Sequence, residues 1–198
     1  MKGQKAIQKH LSGQDPVMAR LITEIGPCAL KKRDPYRALL GSIVSQQLST
    51  KAADTIWKRM MEVIGHDLSA DNILKYSVED FRSAGLSNAK ASWVLDLSDR
   101  VIRGAVDLNA FDTLDDDAVK KELLNLKGIG SWTADMFLMF SLNRLDILPV
   151  GDVGIQRAIR VHYGLKSRPS ERTMVRIARN WQPYRTVACW YLWQSLDA

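Results

Sequence analysis

Apolar residues recur along this chain at intervals of three and four, the period of an amphipathic helix, and no run alternates as a half-buried strand does. Asp34-Pro35 reads as a helix start, with proline at a first helical position, followed by Tyr36, Leu39, Leu40, Ile43 and Val44 up to Gln46 or Gln47. Ser49 can cap the next helix, whose Ala53, Ile56, Trp57, Met60 and Ile64 share a face before Gly65 stops it. Ser77 and Asp80 have capping-box spacing, with Asp in place of Glu or Gln, and open a short helix that Gly85 ends. Asn88 is the expected cap of a longer helix carrying Trp93, Val94, Leu97 and Val101 to about Arg103, and Asp115 begins another through Val119, Leu123 and Leu124. The segment TADMFLMFSL is apolar almost all round, as a buried central helix is. Asp152 caps a predicted helix over 153–163, Ser170 one over 171–180, and the last runs from about Tyr184 to Ser195. The expectation is an all-α array of eight to ten helices with short connections, without repeats or long linkers.

The 198 residues, 46% hydrophobic and 25% charged, have ordinary globular composition, which excludes a disordered or fibrous chain. With 28 basic and 22 acidic residues the net charge is +6, and its distribution is uneven. Residues 155–185 hold Arg157, Arg160, Lys166, Arg168, Arg172, Arg176, Arg179 and Arg185 against the single acid Glu171. A positive face for a polyanion is one reading of this window, and a solvated helix face for Arg172, Arg176 and Arg179 is the other. Cys28 and Cys189 have no metal-binding spacing, which speaks against a zinc or iron-sulfur site and for a reducing compartment. No metal or cofactor is expected. His10, His66 and His162 form no ligand or triad pattern. No apolar run reaches the length of a membrane span, and no signal segment opens the chain, so an intracellular protein with no membrane association is expected.

The most specific local feature is Leu126-Lys127-Gly128-Ile129-Gly130, followed directly by a helix. Two glycines one residue apart permit a sharp turn and close approach of another backbone, and the N–H groups of the helix start then point outward. Such a place binds phosphate, with Lys127 and Ser131 flanking it. A simple interhelical turn is the bland alternative. Beyond the next helix lie the turn Leu148-Pro149-Val150-Gly151 and Asp152 at a helix start.

In order and spacing, LKGIGSWTADMFLMFSLNRLDILPVGD resembles the pattern of the helix-hairpin-helix (HhH-GPD) DNA glycosylase superfamily, within it the alkylation-repair branch similar to 3-methyladenine DNA glycosylase II. The resemblance extends to ALLGSIVSQQLSTKAA, AGLSNAKASWVLDLS and WQPYRTVACWYLWQ, and covers roughly residues 35–194. It implies an all-α helix-hairpin-helix fold of two helical lobes with a cleft between them and no β-domain. The expected organisation is one catalytic unit over 1–198, with approximate lobes 35–144 and 1–34 plus 145–198. It also implies a monomeric enzyme acting on double-stranded DNA that contains damaged bases, in the bacterial cytoplasm or, in a eukaryote, the nucleus.

The resemblance makes Asp152 the catalytic carboxylate, whereas local sequence alone reads it as an N-cap. Trp132 and Trp193 fall where the family has pocket tryptophans, and Met136 and Val153 where relatives can carry tyrosines; Tyr163 and Tyr191 are looser candidates. Within Ser45-Gln46-Gln47-Leu48-Ser49, Gln47 or Leu48 is the implied wedge that fills the space of a flipped nucleotide. The DNA backbone would meet Lys127, Gly128, Gly130, Ser131, Thr133 and the basic window, with Lys90 and Arg37 as weaker candidates. Bifunctional members carry a lysine two residues past the second hairpin glycine; Trp132 stands there, which implies hydrolysis without strand cleavage. Relatives with a four-cysteine cluster are excluded, since only Cys189 lies in that region. A cation held by hairpin carbonyls is known in the superfamily. Two other readings stay open: a non-catalytic DNA-binding module, and a glycosylase for uracil, ethenoadenine, hypoxanthine or a mismatched base.

Overall fold

The computed structural model describes residues 2–196, and among these the chain is all helical, with no strand. The helices are α1 (Lys2–Gln14), α2 (Pro16–Ile25), α3 (Pro35–Ser45), α4 (Thr50–Val63), α5 (Ala70–Ile73), α6 (Val78–Ser83), α7 (Asn88–Ile102), α8 (Asp116–Leu124), α9 (Ser131–Phe140), α10 (Val153–His162), α11 (Glu171–Ala178) and α12 (Arg185–Gln194). Twelve α-helices exceed the expected eight to ten: α1 is mostly polar and the four-residue α5 is too short to show a period, while α2, whose Met18, Leu21, Ile22 and Ile25 recur at three and four, is an amphipathic helix ahead of the Asp34-Pro35 start. Short 3-10 turns at Ala110–Asp112 and Arg179–Trp181 complete the inventory, the second replacing the expected last turn of α11.

Side-chain caps set most helix starts. Ser49, Ser77, Asp115, Asp152 and Ser170 each accept a backbone N–H of the first turn, and Ser77 with Asp80 closes a reciprocal capping box. One expectation is corrected: Ser87, not Asn88, caps α7, because its hydroxyl accepts from Lys90 N–H at 3.3 Å and leaves Asn88 as the first helical residue.

The chain divides into two compact units, one formed by Arg33–Phe137 and the other by residues up to Lys32 and from Leu138 onward, so the boundary falls inside α9. In the first, α3 packs on α4 and α7, and α5 and α6 also pack on α7. Its core holds Leu39, Leu40, Ile43, Met60, Ile73, Phe81, Val94 and Leu123, all essentially inaccessible. Burial at about 25 cal/mol per Å² of apolar surface makes this the main stabilising contribution. In the second unit α1 packs on α2, and α12 packs on both α2 and α10. Its centre is Leu11, Met18, Ile155, Ile159, Met174, Trp181, Tyr191 and Leu192. The buried Asp15 caps α2 with Oδ1 and accepts from Tyr163 Oη (2.6 Å) and Trp181 Nε1 (2.9 Å) with Oδ2, so three polar groups inside this core satisfy one another.

Candidate functional site

Two tight turns in the Arg33–Phe137 unit carry the local chemistry. Between α8 and α9, Ile129 N–H donates to Leu126 O (3.1 Å), closing a four-residue turn with Gly128 third at φ +81°. That position of a type II turn needs left-handed backbone, which glycine adopts without cost. A second reason for glycine lies beneath it, because a Cβ on Gly128 would sit 2.4 Å from Trp93 Cε3. Leu126 and Ile129 bury their side chains, while Gly130 is exposed, has nothing within 4 Å of a would-be Cβ, and accepts Ala134 N–H at 2.9 Å as the start of α9. The two hairpin glycines therefore differ: packing inside the protein requires Gly128, and nothing inside it requires Gly130. The flanking helices are joined by a short ion pair from Lys120 to the buried Asp135 (2.7 Å); burial pushes the Asp135 carboxyl up and the lysine opposes that shift.

Between α3 and α4, Leu48 N–H donates to Ser45 O (3.2 Å), Gln46 lies at φ −52°, ψ 136°, and Gln47 at φ +56°. This is again a type II turn, with glutamine in the left-handed place that glycine or asparagine usually fills. A residue so held costs about 1–3 kcal/mol and persists only where its surroundings impose it. Gln47 is exposed and Leu48 is 37% exposed, so both candidate wedge residues present side chains to solvent.

The remaining backbone candidates separate by environment. Ser131 is exposed, and Lys127, also exposed, lies 3.2 Å from Asp96, which holds Arg100 as well. These cations hold the Asp96 carboxyl below its usual range against the opposing effect of burial. Thr133 is only 5% exposed, so little of it faces solvent beside the exposed Ser131. Lys90 is corrected too: its ammonium donates to Val44 O (2.8 Å) and Gln46 O (2.6 Å). The Arg37 guanidinium lies over the Trp57 ring at 5.2 Å, a cation–π contact on α3 and α4. On α9, Trp132 is 49% exposed and Met136 is half-buried.

In the other unit, the turn before α10 delivers Asp152. Asp152 N–H donates to Pro149 O (2.9 Å), and Gln156 Nε2 reaches back to Val150 O (2.6 Å), which fixes the turn against the helix it precedes. Asp152 is 7% exposed, and its Oδ1 accepts from Ile155 N–H (2.8 Å) and Trp193 Nε1 (3.0 Å). The second bond comes from α12, whose Trp193 ring also packs on Phe140 at 5.9 Å. Gly154 leaves room for this arrangement, because a Cβ there would crowd Asp152 Oδ1 at 3.1 Å and Trp193 Cδ1 at 3.2 Å. Val153, the neighbour of Asp152, is 67% exposed. The N-cap role and the expected functional role of Asp152 thus fall on one oriented carboxylate.

Tyr163 and Tyr191 leave the pocket candidates. Tyr163 donates to Asp15, and Tyr191 donates to Gly26 O at 2.9 Å while accepting from Gln8, so both hydroxyls are structural. Burial pushes the Tyr191 hydroxyl above its ordinary range. Of the basic window, Arg185 is also structural, binding Asp146 through Nε (2.7 Å) and Nη2 (3.0 Å). The other seven cations are exposed. Arg157, Arg160 and Arg168 line a depression of about 210 Å³ with Val153 and Gln156, and Arg172, Arg176 and Arg179 line one of about 650 Å³.

Sequence reasoning passes over Trp93, Gln46, Gln156 and Gly154 as site-building residues. Gly154 carries a readable signal, since glycine in the first turn of a helix is unfavourable unless space demands it.

A family model for HhH-GPD superfamily base excision DNA repair proteins matches residues 40–183. The chain belongs to this superfamily. It is 30% identical over 169 residues to the putative DNA-3-methyladenine glycosylase YfjP of Bacillus subtilis, spanning 82% of this chain and 59% of that relative. Two solved structures superpose closely. A DNA-3-methyladenine glycosidase from Bacillus halodurans gives a TM-score of 0.86 at 36% identity, covering 94% of this chain and 87% of the other. The 3-methyladenine DNA glycosylase of Schizosaccharomyces pombe in complex with abasic DNA gives 0.85 at 30% identity, covering 98% and 97%. Among the described residues no helix is long and apolar enough to cross a membrane.

Proposed function

We propose that this HhH-GPD protein is a monofunctional DNA glycosylase of base excision repair that releases alkylated purines such as 3-methyladenine from double-stranded DNA. The observation that carries the reading is the Asp152 carboxylate, buried and oriented by Ile155 N–H and Trp193 Nε1. An aspartate beside a polyanion repels it, so a pure DNA-binding module gains nothing from one here that asparagine would not supply as a cap. The names of relatives 30–36% identical, 3-methyladenine glycosylases among them, support the substrate class.

In this mechanism the target nucleotide leaves the stack, at a cost of a few kcal/mol that is lower for damaged bases, and Gln47 or Leu48 takes its place. The hairpin amides with Lys127, Gly130 and Ser131, and the exposed arginines after Asp152, hold the backbone. The bond between C1′ and the purine nitrogen breaks with its electron pair going to the base, which is already cationic when alkylated and departs neutral. Asp152 stabilises the cationic sugar electrostatically and takes the proton of the water that attacks C1′. Trp132 and Met136 in one unit and Trp193 and Val153 in the other are the residues assigned to the base, and a tryptophan face attracts a cationic base by about 0.5–2 kcal/mol. Trp132 stands where a Schiff-base lysine would be needed, so the product is an abasic site in an intact strand.

The test is excision from duplexes bearing 3-methyladenine, 7-methylguanine, ethenoadenine, hypoxanthine or uracil. Release of the methylated purines with no nicking before alkali is expected. Asp152→Asn, which retains the cap, should keep DNA binding and stability and slow release by roughly 10²–10³-fold. An Asn variant as fast as wild type removes Asp152 from the chemistry, and no release from any duplex leaves the binding module.

A further inference from the structure

Lys90 lies in the first turn of α7, half-buried, and its ammonium is used inside the protein. It bonds Val44 O and Gln46 O, two carbonyls that the C-terminus of α3 leaves without intrahelical partners. Gln46 is the C-cap of α3 and the residue before Gln47, so holding its carbonyl sets the direction in which the following turn leaves the helix. The Gln46 side chain then crosses to the hairpin and donates to Gly128 O at 2.5 Å. Trp93, one turn beyond Lys90 on the same helix, is the ring against which Gly128 packs. Two residues three apart on α7 thus grip the two turns, and Gln46 ties those turns to each other. The left-handed Gln47 is held in place at the end of this closed set of contacts.

Resting on the glycosylase reading above, we infer that Lys90 is a positioning residue that, with Gln46, makes the hairpin and the wedge-bearing turn one mechanical unit, so that capture of a phosphate by the hairpin is coupled to insertion of the wedge. A surface lysine serving solubility would not spend its donors on carbonyls, and a phosphate-binding lysine would keep them outward. In the coupled arrangement, a loss at Lys90 or Gln46 harms the step that needs the wedge more than it harms DNA binding.

The experiment compares single-turnover excision of one alkylated purine in two duplexes, paired normally or placed opposite an abasic nucleotide. Unpairing is already complete in the second, so the wedge contributes little there. Lys90→Met should slow the paired substrate by about tenfold or more and the unopposed one by less than about threefold, with affinity for undamaged duplex within about twofold of wild type. Lys90→Arg, which keeps donors, should recover part of the loss. Gln46→Met should reproduce the pattern and carries the test if Lys90→Met does not fold, and the double variant should lose less than the product of the single losses. Equal losses on both duplexes, or no loss on either, overturn the coupling while leaving the glycosylase reading intact. A wild-type protein that releases no base from either duplex overturns the glycosylase reading and the coupling with it.

Discussion

Replacing each hairpin glycine by alanine separates what the fold requires from what DNA requires. At Gly128 the φ of +81° places an L side chain in the left-handed region, costing about 1–2 kcal/mol. The new Cβ also meets Trp93 Cε3 at 2.4 Å, a ring in a packed unit, and such overpacking costs about 1–3 kcal/mol. The two effects together give a loss of about 2–5 kcal/mol, and at a urea slope of about 2 kcal/mol/M the unfolding midpoint falls by roughly 1–2.5 M. At Gly130 neither effect operates, so alanine should shift stability by no more than about 0.5 kcal/mol. In the proposed binding mode its methyl group would stand between a phosphate and the amides at the start of α9, and affinity for duplex DNA should fall by about tenfold or more. Urea unfolding and a binding isotherm at two salt concentrations measure both quantities. Gly130→Ala with unchanged affinity and salt slope would falsify the phosphate-binding role of the hairpin, and Gly128→Ala as stable as wild type would sink the Trp93 packing account. Trp93→Leu in the Gly128→Ala background should recover part of the loss, because the two sites touch.

Other perturbations address single contacts. Trp193→Phe keeps an aromatic surface against Phe140 but removes the donor to Asp152 Oδ1; excision should slow by about tenfold, with urea stability reduced by about 1 kcal/mol. Gln47→Gly relieves the left-handed strain and should raise stability by up to about 1 kcal/mol while slowing excision of a paired lesion; a less stable variant would contradict the strain assignment. Changing Arg172, Arg176 and Arg179 together to alanine should lower the slope of log affinity against log salt by up to about 3, and an unchanged slope assigns them to a solvated face.

Most of the fold was legible because its helices announce themselves locally. Pro35, Ser49, Ser77, Asp115, Asp152 and Ser170 mark starts through interactions spanning two to four residues, which sequence spacing displays directly. Ser87 and Asn88 are adjacent residues of equal capping aptitude, and only the bond from Lys90 N–H distinguishes them. The hairpin could be read because Gly128 and Gly130 are one residue apart. Their different reasons could not, since Trp93 is remote in sequence from Gly128. The same distance hides Lys90, whose carbonyl partners lie more than forty positions earlier, and Gln46, whose partner lies 82 positions later. Tyr163 and Arg185 show the reverse error: residue type and position suit a ligand, but Asp15 and Asp146 occupy them.

The carboxylate that begins α10 also has a bearing on how this enzyme class loses activity. One oxygen of Asp152 caps the start of α10 and receives an indole from α12, so in the proposed mechanism any replacement that cannot accept those hydrogen bonds would weaken the scaffold and the chemistry together. Asparagine is the substitution that keeps the first while removing the second. A descendant that abandoned catalysis and survived as a DNA-binding protein would therefore be expected to carry asparagine here, readable from sequence as a fold retained after its reaction was lost.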